Sequence, residues 1–277
     1  IIGAGPTGLF AVFEAGLLKL KCHLIDYLPQ PGGQLAEIYP KKPIYDIPGF
    51  PSVLAGELVD NLMEQSKPFN PGFTLGERAE SIEKTDDGQF IVTTNRGTAH
   101  KAPNIMKAGG LGCFAPRKPD LENLERFEDH GIDYIIKEPE KFRDKKVVIA
   151  GGGDSALDWS IFLADVASEV TLVHRRTSFR GALDSVEKVE NLVAAGKMTL
   201  ITEAQISALD GGDELDKITV TQNNGTVTEI DSDYFIPLFG LSPKLGPIKE
   251  WGLDLGKEAI VVNTMDYQTN VPVIFAI

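Results

Sequence analysis

Two glycine turns, Gly3-Ala4-Gly5-Pro6-Thr7-Gly8 and Gly151-Gly152-Gly153-Asp154-Ser155-Ala156, are of the kind that seats a pyrophosphate. The first glycine of such a turn makes the bend from strand to helix, and the second lets the backbone approach the phosphates. The last position must be small so that the helix can pack on the strand. The helix then presents free N–H groups and a partial positive charge. Gly3, Gly5 and Gly8 fill these positions in one copy, and Gly151, Gly153 and Ala156 in the other, with Asp154 and Ser155 opening the second helix. Where the next strand should end, the two copies carry opposite charge. Asp26 closes the first, an acceptor for a ribose diol that would repel a 2′-phosphate, so it suits FAD or NAD. His174-Arg175-Arg176 closes the second, with Arg180 one helical turn further on. Guanidinium groups pair a phosphate bidentately, so this cluster suits NADP; an ordinary solvated basic run is the alternative. The contrast implies two different dinucleotides in one chain and electrons passing between them.

Each turn has the context it needs. Ile1-Ile2 and Val147-Val148-Ile149-Ala150 are strand-like runs before the two turns. After them, Leu9, Val12, Phe13, Gly16 and Leu17 recur at helical spacing, as do Ala156, Trp159 and Leu163, and Leu157, Ile161 and Ala164. The plan then repeats. Phe73 to Ala79 reads as a strand, Phe90–Thr94 and Gly97–Ala102 as a hairpin, and Asn104–Gly110 as a return strand. Met198 to Ala204, the arms either side of Asn223-Asn224-Gly225, and Asp233–Gly240 are the matching parts. Gly- and Pro-rich crossings lie near 110–118 and 238–244. The expected fold is α/β: two Rossmann-like, three-layer (ββα) nucleotide-binding domains, the second inserted into the first. The expected boundaries are 1–114 and 241–277 for the FAD domain and 115–240 for the NADPH domain.

Composition sets outer limits. The chain has 277 residues, room for one large or two modest domains, and a net charge of −13 that argues against nucleic-acid binding. No apolar run approaches the ~18–20 residues that span a bilayer. Cys22 and Cys113 stand 91 positions apart, with no disulfide framework, and the four histidines have no metal-ligand spacing, so no metal is expected. A reducing, cytoplasmic setting follows as the default. The chain starts inside its first strand.

The order G-A-G-P-T-G-L, P-G-G-Q-L, I-P-G-F-P, G-G-G-D-S-A, H-R-R-x-x-F-R resembles the thioredoxin reductase family of flavoproteins over essentially the whole chain. The C-x-x-C of the redox-active members is missing; residues 132–139 contain no cysteine. Gln34-Leu35 followed by Tyr39-Pro40, Tyr45-Asp46, Cys113-Phe114-Ala115-Pro116-Arg117-Lys118, the Leu157-Asp158-Trp159 run and Leu245-Gly246-Pro247 before Trp251-Gly252-Leu253 are similar to the thioredoxin-reductase-like ferredoxin–NADP reductases.

That resemblance implies FAD-contacting roles for Thr7, Asp26, Gln34, Tyr39, Ala79 and Phe114. Asp26 would bond the adenosine ribose and Tyr39 would stack on the flavin, with Tyr45 the next candidate stacker. A packing tyrosine and a plain polar loop residue are the alternatives for Tyr39 and Gln34. The implied activity is electron transfer between NADPH and ferredoxin or flavodoxin through FAD, in a homodimer; within each chain the two domains would rotate relative to each other to bring nicotinamide to flavin. No catalytic side chain is expected, since the chemistry is hydride positioning. Acidic ferredoxin would need a local basic patch, for which Lys41, Lys42, Arg117 and Lys118 are the candidates. Two other functions stay open: a disulfide reductase using an external thiol, and a redox-inactive NADP(H) sensor. Two residues depart from the family: Lys107 interrupts an apolar return strand, and Val273 stands where glycine is usual. The sequence ends at Phe275-Ala276-Ile277, where the family continues with a Gly-Asp and a segment covering the flavin.

Overall fold

A computed structural model describes residues 1–110, 112, 115–242, 246–256 and 259–277. Phe114 and Cys113 lie outside these residues. The chain divides into two compact units, Ile1–Phe114 with Pro243–Ile277, and Ala115–Ser242.

In chain order, the first unit opens with α1 (Pro6–Leu17), β1 (His23–Asp26), α2 (Gly33–Glu37), the short hairpin β2 (Pro43–Ile44) and β3 (Val53–Leu54), α3 (Ala55–Ser66) and β4 (Gly72–Leu75). β5 (Ala79–Lys84), β6 (Phe90–Thr94), β7 (Ala99–Ala102) and β8 (Ile105–Lys107) follow. The second unit contains β9 (Ala115–Pro116), α4 (Leu124–Phe127), β10 (Lys146–Gly151), α5 (Asp154–Leu163), β11 (Glu169–Val173), α6 (Leu183–Ala194) and β12 (Thr199–Ile201). It is completed by β13 (Ala204–Gly211), β14 (Leu215–Gln222), β15 (Val227–Asp231), β16 (Tyr234–Leu238) and β17 (Leu241–Ser242); β18 (Ile274–Ala276) returns to the first unit.

The two units share one plan. In the first, parallel pairs β1–β4 and β8–β18 are joined through Ile2, which bridges Ile25 on one side and Lys107 on the other. In the second, β12-β11-β10-β16 is a four-stranded parallel sheet. Each sheet is faced by an antiparallel three-stranded meander, β5-β6-β7 or β13-β14-β15. Side chains alternate across a strand, and the cores follow that alternation. Leu24 of β1 packs with Ala4, Leu9, Val12 and Val59 on the helix side, whereas Ile25 packs with Phe90, Val92, Ile105 and Ile274 on the meander side. In the second unit Val148 and Ala150 join Ile218, Val220 and Phe235 beneath the meander.

The strand expected over 73–79 ends at Leu75, because Gly76 turns with φ +70° and frees Ala79 to begin the meander. The strand expected over 198–204 likewise stops at Ile201, and Glu203 (φ +52°) redirects the chain into β13. β5 and β13, the first strand of each meander, carry mixed charged and apolar residues and were not separable from their predecessors by pattern. Leu17, expected on the buried face of α1, is exposed, since the helix ends there. Among the described residues, no helix is long and apolar enough to cross a membrane.

The two departures noted in the sequence have physical consequences. Val273 adopts φ +64°, a conformation that glycine takes without penalty and a β-branched residue does not. Lys107 is buried on β8, and its ammonium donates to the Gly110 carbonyl at 3.1 Å. Burial pushes the Lys107 ammonium below the ordinary lysine range. The unfolded chain therefore binds this proton more tightly, so the penalty is full below the depressed value. It is relieved as pH rises from the depressed value toward the ordinary one. Lys107→Met should raise stability at pH 7 by about 1–3 kcal/mol and flatten the rise toward pH 10. Thermal melts of both proteins at the two pH values check this.

Candidate functional site

At two positions of the first glycine turn, glycine alone fits. Gly3 sits at φ +108°, and a Cβ there would run into the carbonyl of Ala108. A Cβ on Gly8 would overlap the carbonyl oxygen of Gly3. At Gly5 the nearest atom to a Cβ is the Gly33 Cα, 3.9 Å away, so this face of the turn is an open cradle. α1 begins at Pro6 with no side-chain cap, which leaves first-turn N–H groups for an outside partner. Thr7, in that turn, is exposed.

The loop after β1 returns to this turn: Gly32 N–H donates to the Ala4 carbonyl at 2.8 Å. Gln34 follows at the start of α2, with its side-chain amide near Gly110. Asp26 ends β1 and accepts from the Ala4 N–H (2.6 Å) and the Leu28 N–H (2.9 Å). Burial pushes its carboxyl up, against the downward pull of these backbone donors. The Tyr27 N–H is a third backbone donor; a carboxylate offers roughly four acceptor positions, so one remains for a ligand. The geometry thus brings Gly3, Gly5, Gly8, Asp26 and Gln34 together. Tyr39 lies beyond α2, half-buried, with the Lys42 ammonium 5.5 Å from its ring centroid. Burial, then the charge of Asp46, push its phenol up. Tyr45 is exposed, and Ala79 is packed into the core beneath the meander.

The second turn repeats the design with a different tip. A Cβ on Gly151 would lie 2.6 Å from the Ala156 Cβ and 2.8 Å from the Leu238 carbonyl oxygen, which requires glycine at 151 and a small residue at 156. A Cβ on Gly153 would meet nothing within 4 Å, so the mouth of uncapped α5 is open. Ser155 is exposed there, while the Asp154 carboxylate accepts the Ala182 N–H at 2.8 Å. Arg175, Arg176 and Arg180 are exposed, and their guanidinium groups have no carboxylate partner among the described residues. His174 differs from its neighbours. It is buried, and its Nε2 lies 3.0 Å from the Ser178 carbonyl. A carbonyl only accepts, so that nitrogen carries the proton.

The candidate basic patch is weaker than its charges suggest. Lys118 is paired with Glu128 at 2.5 Å and lies over the Tyr134 ring. Cys22 is a free, partly buried thiol whose pKa burial pushes up. Among the described residues, no group of three or more His, Cys, Asp or Glu could hold a metal. Sequence reasoning missed Ser178 and Ala182, which act through backbone groups and leave no signature, and the Gly109-Gly110 pair beside the first turn.

Two uncapped helices, each opening from a glycine turn at the carboxyl end of a parallel strand, define a protein that binds two dinucleotides. The open faces at Gly5 and Gly153 fit two pyrophosphates, and the unpaired guanidinium groups fit one further phosphate. The family model of the pyridine nucleotide-disulphide oxidoreductases matches residues 1–277. The chain is 69% identical to a ferredoxin–NADP reductase of Flavobacterium johnsoniae, over 100% of this chain and 79% of that protein. It is 49% identical to one of Rhodopseudomonas palustris, over 100% and 81%. In structure it is similar to T. acidophilum thioredoxin reductase, with TM-score 0.86 at 22% identity over 100% of this chain and 87% of that one. The chain belongs to the pyridine nucleotide-disulphide oxidoreductase family, on its thioredoxin-reductase-like ferredoxin–NADP reductase branch.

Proposed function

We propose that the protein is a ferredoxin–NADP reductase, moving electrons between NADPH and a ferredoxin-type carrier through FAD. The observation that carries this reading is the opposite charge at the two strand tips, Asp26 against Arg175 and Arg176. Identity of 69% to a relative bearing that name supports it. FAD, when bound, interconverts the two-electron hydride of NADPH and the single electrons of an iron–sulfur carrier.

The work of the chain itself is binding and orientation. Residues 1–114 and 241–277 take FAD, and 115–240 take NADPH. The α1 turn, with Gly3, Gly5, Thr7 and Gly8, holds the FAD pyrophosphate on backbone N–H groups. Asp26 accepts from the adenosine ribose with the acceptor position its backbone donors leave open. Gln34 reaches the flavin from the first turn of α2, and Tyr39 offers a half-buried ring for stacking. By resemblance, the main chain at Ala79 would complete the flavin contacts, its side chain being packed in the core. Gly151, Gly153, Asp154, Ser155 and Ala156 form the NADPH pyrophosphate turn, and Arg175, Arg176 and Arg180 take the 2′-phosphate. Flavodoxin is a one-electron acceptor of the same kind, and a cytoplasmic homodimer accompanies the reading by resemblance.

Disulfide reduction is disfavoured by the missing C-x-x-C, and Cys22 is a poor nucleophile because burial raises its pKa. The test mixes full-length protein with NADPH, ferredoxin and cytochrome c. Cytochrome reduction that depends on ferredoxin is expected. Reduction of DTNB that depends on added thioredoxin would support the disulfide reductase instead. A colourless protein that still binds NADPH would support a sensor.

A further inference from the structure

Segment 175–182 is fastened to the second glycine turn at three points. The Arg180 N–H donates to the Gly152 carbonyl at 2.8 Å, and the Ala182 N–H donates to the Asp154 carboxylate at 2.8 Å. Between them, the His174 ring lies against Gly152 so closely that a Cβ there would clash with its Cε1. Its Nε2–H bonds the Ser178 carbonyl at 3.0 Å, and its other face stacks on Phe179 at 4.9 Å between centroids and 19° between planes. His174 is 6% exposed, whereas Arg175, Arg176 and Arg180 around it are exposed. The imidazole is therefore largely enclosed by its own loop and by Gly152, and its Nε2–H is committed to the Ser178 carbonyl.

We propose that His174 is a positioning residue for 2′-phosphate discrimination. Its ring and its bond to Ser178 hold Arg175 and Arg176, the two arginines that follow it, in place against the pyrophosphate turn before coenzyme arrives. The proposal rests on the assignment of those arginines to NADPH. Gly152 serves it by leaving room for the ring, and Asp154 serves it as the second anchor. Long side chains on a fixed loop lose less freedom on binding than the same side chains on a loose one. The ordering acts only on a ligand that the arginines touch, so it separates NADPH from NADH.

The test uses full-length, flavin-loaded protein and calorimetric titration with adenosine 2′,5′-bisphosphate, alongside KM values for NADPH and NADH. His174→Ala should weaken the bisphosphate about tenfold, the scale of losing order in a pair of long side chains. It should raise KM for NADPH and leave KM for NADH unchanged. In an Arg175→Ala/Arg176→Ala background the same change should cost almost nothing, because the groups it positions are gone. His174→Gln, which keeps a donor for the Ser178 carbonyl, should recover part of the loss. If His174→Ala does not fold, Phe179→Ala carries the test, with the same pattern at smaller size. An equal loss in both backgrounds, an equal loss for NADPH and NADH, or no loss would overturn the proposal. Should the arginine double variant alone bind the bisphosphate as tightly as wild type, the underlying NADPH assignment fails instead, and the proposal with it.

Discussion

Gly8→Ala is expected to yield a full-length protein that purifies without flavin and unfolds at markedly lower temperature. The added methyl would overlap the Gly3 carbonyl oxygen, a backbone atom fixed in turn by Gly3 at φ +108° against Ala108. No side chain can swing aside, so the helix must lift from the strand. The cost is about 1–3 kcal/mol, toward the upper end because only backbone can yield, a large part of the roughly 5–15 kcal/mol that holds a domain together. Gly5→Ala is the informative partner. Its Cβ meets only the Gly33 Cα at 3.9 Å, and Gly5 has φ −72°, which alanine adopts without strain. That variant should melt close to wild type yet hold flavin weakly, since the methyl fills the cradle and not the fold. Flavin absorbance per polypeptide and circular-dichroism melts distinguish the two. A yellow Gly8→Ala protein, or a Gly5→Ala protein with full flavin affinity, would place the pyrophosphate elsewhere.

Arg175→Ala is expected to reduce affinity for NADPH by about one to two decades, the equivalent of one charge-assisted hydrogen bond of roughly 1.5–3 kcal/mol. NADH should be affected little, because it brings no phosphate to that position. Adding Arg176→Ala should deepen the loss. The arginines are exposed, so ionic strength screens them, and the difference between wild type and variant should shrink as salt rises past physiological levels. Titration with both coenzymes at low and high salt gives the comparison. Equal losses for NADPH and NADH would remove these arginines from the 2′-phosphate.

Much of the site could be read from the sequence because phosphate-binding turns are demanding. They need glycine where a Cβ would strike backbone, as at Gly3 and Gly151, and such constraints show at fixed spacing. The charge at each strand tip was equally legible, since Asp26 and Arg175 are defined by their distance from a turn. The order of strands was clear wherever a glycine or an Asn-Gly turn separated two apolar runs. It failed at β5 and β13, where a strand and its successor are parted by a short link holding a single residue at positive φ, Gly76 or Glu203. His174 was the instructive case. Its place in a basic run pointed to the phosphate, but its role is decided by a ring packed on Gly152 and a bond to the Ser178 main chain. Neither partner is marked by residue type. Lys107 and Val273 were visible as oddities, and their consequences, a buried ammonium and a left-handed backbone, needed the fold.

Anaerobic titration of the full-length protein with NADPH and with NADH, followed at the flavin absorption band, probes the sorting of two coenzymes by opposite charges. The expected result is a yellow protein bleached by NADPH at concentrations where NADH leaves it oxidised. A colourless protein, or one bleached equally by both coenzymes, would contradict it.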